Sequence, residues 1–75
     1  MVEPIRMSRK AWSAFLEAVE FYADTDEEER AYLLQRAVEG RKRENGKWVL
    51  YPITEAEREV ILDATQEFLE IEEGL

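Results

Sequence analysis

The chain has 75 residues, neither cysteine nor histidine, and 18 acidic residues against 10 basic ones, which gives a net charge of −8. This length allows one domain, and the lack of cysteine excludes disulfides and thiolate metal sites. Without histidine the chain lacks the usual general base and the commonest transition-metal ligand. We therefore expect a non-enzymatic protein with no metal site and no cofactor.

The hydrophobic fraction of 45% indicates a folded domain rather than a disordered chain. No apolar run reaches the length of a membrane span, and the N-terminal residues do not resemble a secretory signal peptide. The sequence predicts one domain over residues 1–75, located in the cytoplasm and not in contact with a membrane. Within it, residues 1–7 are predicted to form an irregular arm, because no periodicity is evident there.

The first predicted helix covers about residues 9–24, with Ser8 as its N-cap. Apolar residues recur at three- and four-residue spacing in two stripes. One stripe contains Trp12, Phe15, Leu16, Val19 and either Tyr22 or Ala23, and the other contains Ala11, Ala14, Ala18 and Phe21. A helix with two apolar faces packs on two neighbours, one of which can be another subunit.

The second predicted helix starts at a capping box formed by Thr25 and Glu28 and ends at Gly40, a typical C-terminal cap. The short connection to the first helix predicts an antiparallel helical pair. Asn45-Gly46 then favours a type I′ turn between two short strands, and Thr54 with Glu57 opens a third helix over about residues 55–73.

The fold class predicted is mostly α (α+β), with three helices and one β-hairpin between the second and third. The expected core is Trp12, Phe15, Leu16, Val19, Leu34, Val38, Trp48, Leu50, Val60, Ile61, Ala64 and Phe68.

Charge is divided along the chain. Residues 54–75 carry eight acidic residues and one base, whereas residues 36–47 carry five bases and two acids. Carboxylate pairs at helical spacing, such as Glu55 with Glu59, are typical of a solvated helix face. A domain of this size rarely encloses the cleft that acid–base catalysis needs. The surface, rather than a catalytic centre, is therefore expected to carry the function.

The main hypothesis is a small protein that binds another protein with a basic surface and modulates it. Rows of carboxylates on a helix can imitate phosphates, as in phage- or plasmid-type inhibitors that act as DNA mimics. The partner-binding residues predicted are Arg41, Arg43, Lys47 and Trp48 of the hairpin and Glu59, Asp63, Glu67 and Glu70 of the third helix. The mechanism expected is charge-steered encounter followed by burial of an aromatic anchor.

Two alternatives stay open. Two helices followed by a basic hairpin resemble part of a winged helix, which implies a nucleic-acid-binding regulator that lays the hairpin along phosphates. The second helix, however, begins with four acidic residues at 26–29, which repel DNA. The other alternative is a structural homodimer, whose seam contains Leu62, Leu69, Ala14 and Ala18, together with Ala11.

Overall fold

The computed structural model of the protein describes residues 2–73, with side chains as far as Ile71. Its elements are β1 (Ile5–Met7), α1 (Arg9–Ala23), α2 (Glu28–Glu39), β2 (Lys42–Glu44), β3 (Lys47–Leu50) and α3 (Glu55–Glu73). The predicted fold class, three helices with a hairpin between the second and third, is confirmed.

The irregular arm predicted for residues 1–7 is wrong. Ile5–Met7 pair antiparallel with β3, so the sheet has three strands in the order β1-β3-β2. Ile5 and Met7 are buried, whereas Arg6 between them is exposed. Three residues are too few to show a strand period by themselves, and only pairing with the central strand β3 makes this segment a strand.

The N-terminus of α1 is capped as predicted, because the Ser8 Oγ accepts a hydrogen bond from the Ala11 N–H at 3.1 Å. The helix makes its most extensive contact with α3. Phe15, Ala18 and Tyr22 of α1 join Ile61 and Ala64 of α3 in the core.

The capping box predicted at Thr25 is wrong. The second helix starts at Glu28, and its N-cap, Glu27, two residues after Thr25, makes no side-chain capping bond. The Thr25 hydroxyl donates instead to the Tyr22 carbonyl at 3.0 Å and accepts from the Glu27 N–H at 3.3 Å. In so short a connection the Thr25 side chain adds a bond to a carbonyl at the end of α1 that its own backbone N–H also reaches, at 3.3 Å, since such side chains bond readily to neighbouring backbone.

The capping box predicted at Thr54 forms in part. The Glu57 N–H donates to the Thr54 Oγ1 at 3.1 Å. The Glu57 side chain reaches past Thr54 and accepts from the Ile53 N–H at 3.1 Å and from the Arg36 Nη2 at 2.6 Å. A signal for a helix start thus also joins α3 to α2.

Most of the predicted core is confirmed. Phe15, Leu34, Leu50, Ile61 and Ala64 are fully buried, and Trp12, Val19, Val38, Val60 and Phe68 pack against the core while partly exposed. Trp48 is half-buried. The prediction that Leu16 belongs to the core is wrong, since this residue is 39% exposed. The prediction missed the buried residues Ile5, Met7, Ala14, Ala18, Tyr22, Ala37 and Val49.

Candidate functional site

The fold gathers basic side chains at one end of the molecule. We name this the basic surface and define it as the exposed residues Arg6, Arg9, Lys10, Arg41, Lys42, Arg43 and Lys47. The hairpin contribution was predicted from the sequence, whereas Arg6, Arg9 and Lys10 were not. They arrive because β1 pairs with β3 and α1 begins directly after it. The apolar–basic–apolar order of Ile5-Arg6-Met7 agrees with a strand, but three residues are too few to predict one.

The outer face of the sheet carries one part of the basic surface. Arg6 and Lys42 flank Val49 in register across the three strands, and Val49 is completely buried. Paired residues share a face, and Val49 lies on the face opposite Leu50 and the core. We infer that the alkyl stems of Arg6 and Lys42 cover Val49 while their charged ends reach water.

The inner face of the hairpin holds two guanidinium groups on a tryptophan. The Arg41 and Arg43 guanidinium carbons lie 5.1 and 4.9 Å from the centre of the Trp48 ring. Trp48 also stacks on Trp12 with ring centres 5.2 Å apart. Trp48 is therefore half-buried and contacts Trp12, Arg41 and Arg43 of the same domain.

A cavity of about 440 Å³ opens between the start of α1 and the hairpin. Its walls include Arg9, Arg43 and Lys47 together with both tryptophans. Among the residues that the structure describes, none of these three cations forms a salt bridge. Arg41 differs, because its Nη1 donates to the Val38 carbonyl at 2.8 Å, at the end of α2.

Tyr51 forms a hydrogen bond with Glu44, a carboxylate next to the basic surface. Its hydroxyl donates to Glu44, and the Lys42 ammonium lies 5.5 Å from its ring centre. The hydrogen bond to Glu44 raises the pKa of Tyr51, since ionising the phenol would place two negative charges together. Glu44 is thereby held by Tyr51, although Lys47 is its register partner across the hairpin.

A second surface, of opposite charge, combines two elements. We name it the acidic surface and define it as Glu55, Glu59, Asp63 and Glu70 of α3 with Asp26, Glu27, Glu28 and Glu29 at the start of α2, all exposed. A cavity of about 510 Å³ lies where residues 26–30 and Leu33 face Val60 of α3. From the sequence, the acids at 26–29 are interpreted as the start of the second helix and as a charge that repels DNA. Their place beside α3 depends on the packing of α2.

Glu67, predicted to belong to the acidic face, is exposed, but its carboxylate is also hydrogen-bonded within the domain. Its Oε2 accepts a hydrogen bond from the Tyr22 hydroxyl at 3.1 Å, and that hydroxyl accepts from the Arg30 Nη1 at 2.8 Å. Burial raises the pKa of Tyr22, an effect to which the Glu67 carboxylate adds and which Arg30 opposes. Glu67 is therefore a link in a chain that joins all three helices.

The predicted dimer seam is not assembled on one surface. Ala14 and Ala18 are completely buried within the single chain. The prediction that these two residues form part of a dimer seam is therefore wrong. Ala18 lies one turn before Phe21, and the centre of the Phe21 ring is 5.5 Å from that of Phe68 of α3. Ala18 lies in the core cluster that also contains Ile61 and Ala64 of α3. Leu62 is 36% exposed and Leu69 is half-buried.

The first helix joins the two charged surfaces. Its 15 residues span roughly 22 Å, with Arg9 and Lys10 in the first turn and Asp24 and Asp26 just beyond the last. The helix dipole favours acids at the N-terminus and bases at the C-terminus. Both ends of α1 thus carry charge of the sign that destabilises the helix.

Among the described residues no group of three or more histidine, cysteine, aspartate or glutamate side chains is placed to hold a metal ion. In the same part of the chain, every helix is too short or too polar to cross a membrane. No family model, curated protein or solved structure was found to match this chain.

Proposed function

We propose that this is a non-enzymatic binding protein whose acidic surface docks on a basic surface of another protein and modulates it as a nucleic-acid mimic. The supporting observation is that the acids at 26–29 line a cavity together with Val60 of α3, the helix that also carries a row of exposed carboxylates. A phage- or plasmid-type inhibitor is the class that this mechanism fits. Its cytoplasmic location remains a prediction from the sequence.

The exposed carboxylates of α3 form one row. Glu55, Glu59, Asp63 and Glu70 extend over roughly 22 Å of helix, or about one charge per 6 Å. One DNA strand carries a phosphate about every 3.4 Å, whereas the duplex carries a charge about every 1.7 Å. The row on α3 is thus about half as dense as one strand, and the four acids at 26–29 add a separate cluster beside this helix.

Tyr32 replaces Trp48 as the aromatic anchor in this mechanism. It is 62% exposed and lies on α2 one turn after Glu28 and Glu29. Buried aromatic residues surrounded by polar groups carry much of the energy of protein interfaces. Carboxylates would steer the encounter, and the Tyr32 ring would then be buried against the partner.

The same helix weakens the winged-helix alternative. The exposed positions of α2 are Glu28, Glu29, Tyr32, Gln35 and Glu39, and none is basic. A helix that reads the major groove must approach two rows of phosphates, so this face would be repelled. We therefore do not assign α2 as a recognition helix.

The test is affinity capture from a nuclease-treated lysate, with three forms of the protein as bait. The acidic-surface variant carries Glu59→Gln, Asp63→Asn and Glu70→Gln. The control carries Glu3→Gln, Glu20→Gln and Glu39→Gln, the same change in net charge at other exposed sites. We expect a stoichiometric protein partner on the wild type and the control, with affinity at least tenfold weaker for the acidic-surface variant. Equal capture by all three forms, or recovery of nucleic acid alone without the nuclease, would contradict the proposal.

A further inference from the structure

We propose that the basic surface is a second binding site, for the phosphate backbones of double-stranded nucleic acid, at the other end of α1 from the acids that follow this helix. This goes beyond the proposed function and does not depend on it. The protein would then carry two sites of opposite charge on one small domain.

The basic surface places cations on both faces of the three-stranded sheet. Arg41 and Arg43 lie on the inner face with Trp48, and Arg6 of β1 and Lys42 of β2 lie on the outer face beside Val49. In a duplex, two rows of phosphates border each groove, and contacts to them position a protein without reading the sequence. Cations on both sides of one sheet edge can therefore contact phosphates of both strands.

Arg9 and Arg43, which line the cavity between α1 and the hairpin, are placed favourably for binding an anion. Arg43 is oriented by Trp48, and Arg9 stands in the first turn of α1, where the helix dipole adds positive potential. Glu44, the carboxylate nearest in register to Lys47, is engaged by Tyr51. Ordering Arg43 before binding reduces the conformational entropy that a phosphate contact costs.

The aromatic residues favour a duplex over a single strand. Single-strand binders stack bases on exposed aromatic rings. Here Trp12 and Trp48 stack on each other, and Trp48 also carries two guanidinium groups. An acidic peptide is disfavoured as well, because the open edge strand β2 has only three residues for main-chain pairing.

The net charge of −8 does not prevent this binding. The molecule measures 29 × 27 × 18 Å, and α1 separates its own basic and acidic ends by roughly 22 Å. The Debye length at physiological ionic strength is about 8 Å, so the distant carboxylates are largely screened at the basic surface. The potential at the basic surface depends on where the charges lie and not on the total charge alone.

The experiment follows the intrinsic fluorescence of the full chain during titration with a short mixed-sequence DNA duplex over a series of salt concentrations. Both tryptophans of the chain line the cavity between α1 and the hairpin, within the basic surface, so their emission reports on this site. Arg43→Gln and Lys47→Gln test the site. Arg58→Gln is the matched control, since it removes one positive charge from a base outside the basic surface. A single strand of the same sequence and a poly-glutamate peptide serve as competing ligands.

We expect duplex binding that weakens with salt at a log–log slope of about −3 to −5, as for several phosphate contacts. Each test variant should weaken binding several-fold and make the slope shallower by about one, while Arg58→Gln leaves both unchanged. Absence of duplex binding at low salt, equal effects of all three substitutions, or stronger binding of the single strand or the peptide would overturn the proposal.

Discussion

Glu57 shows how one side chain can define a local structure and a tertiary contact together. Its spacing from Thr54 predicts a helix start, and the helix does start there. At 3% exposure its carboxylate also accepts from the Ile53 N–H and from Arg36. That bond raises the pKa of Arg36, because the carboxylate stabilises the charged guanidinium. The residue pattern indicated the cap, and only the fold supplied Arg36.

Glu57→Ala should lower the free energy of unfolding by about 2 kcal/mol, since it leaves a part-buried N–H and a guanidinium without their acceptor. Urea denaturation followed by circular dichroism measures this change. Glu55→Ala, two residues earlier and exposed, should change stability by less than about 0.5 kcal/mol. Similar effects of the two substitutions would show that the buried contacts of Glu57 contribute little.

Tyr22 should make the protein less stable at high pH. Its pKa is raised in the folded state above the unfolded value of about 10, so the folded state holds the phenol proton more tightly. This contribution is complete below about pH 10 and is lost as the pH rises through the folded pKa. Urea midpoints measured across alkaline pH should fall less steeply for Tyr22→Phe than for the wild type. Tyr32→Phe, on an exposed ring, is the control, and parallel curves for wild type and Tyr22→Phe would refute this role.

At the scale of elements, the hairpin turn is the feature that local sequence specifies most completely. Asn45 and Gly46 have φ values of 50° and 78°, as the predicted type I′ turn requires. Gly40, by contrast, ends α2 with φ −91°, so the left-handed conformation typical of a C-terminal glycine is not used. The same residue type has different conformational importance at these two positions.

Gly46→Ala should therefore destabilise the protein by about 1 kcal/mol, because an alanine is strained at positive φ although no neighbouring atom lies within contact. Gly40→Ala should stabilise it by about 0.5 kcal/mol, since its backbone suits alanine and the nearest atom, the Arg36 carbonyl oxygen, is 3.6 Å from the added methyl. Thermal unfolding of the two variants and the wild type measures both stability changes. A destabilising effect of Gly40→Ala would show that its cap needs glycine.

At the scale of the whole molecule, charge is arranged against the stability of α1. Its first turn contains Arg9 and Lys10 and no acid, and acids follow its last turn. We interpret this lower helix stability as the consequence of placing a basic surface at one end of α1 and acids at the other.

Arg9→Glu should raise the free energy of unfolding by about 0.5 kcal/mol, because an acid at the first helical position interacts favourably with the dipole. The same substitution should weaken duplex binding more than Arg43→Gln does, since it reverses a charge at the basic cavity. Urea denaturation and the fluorescence titration, made on one preparation, test both parts. A variant that loses stability would contradict the dipole argument, and one that binds DNA normally would remove Arg9 from the site.

The sequence by itself determined the three helices, the hairpin turn, the Ser8 and Thr54 caps and most of the core, because these depend on periodicity and neighbouring residues. Tertiary structure decided the rest. Only pairing with β3 made Ile5–Met7 a strand and brought Arg6 and Arg9 to the hairpin. Only helix packing buried Ala14 and Ala18, linked Glu67 to Tyr22 and set residues 26–29 beside α3. Short strands and small side chains carry little local signal, and charges distant in sequence become one surface only when the chain has folded.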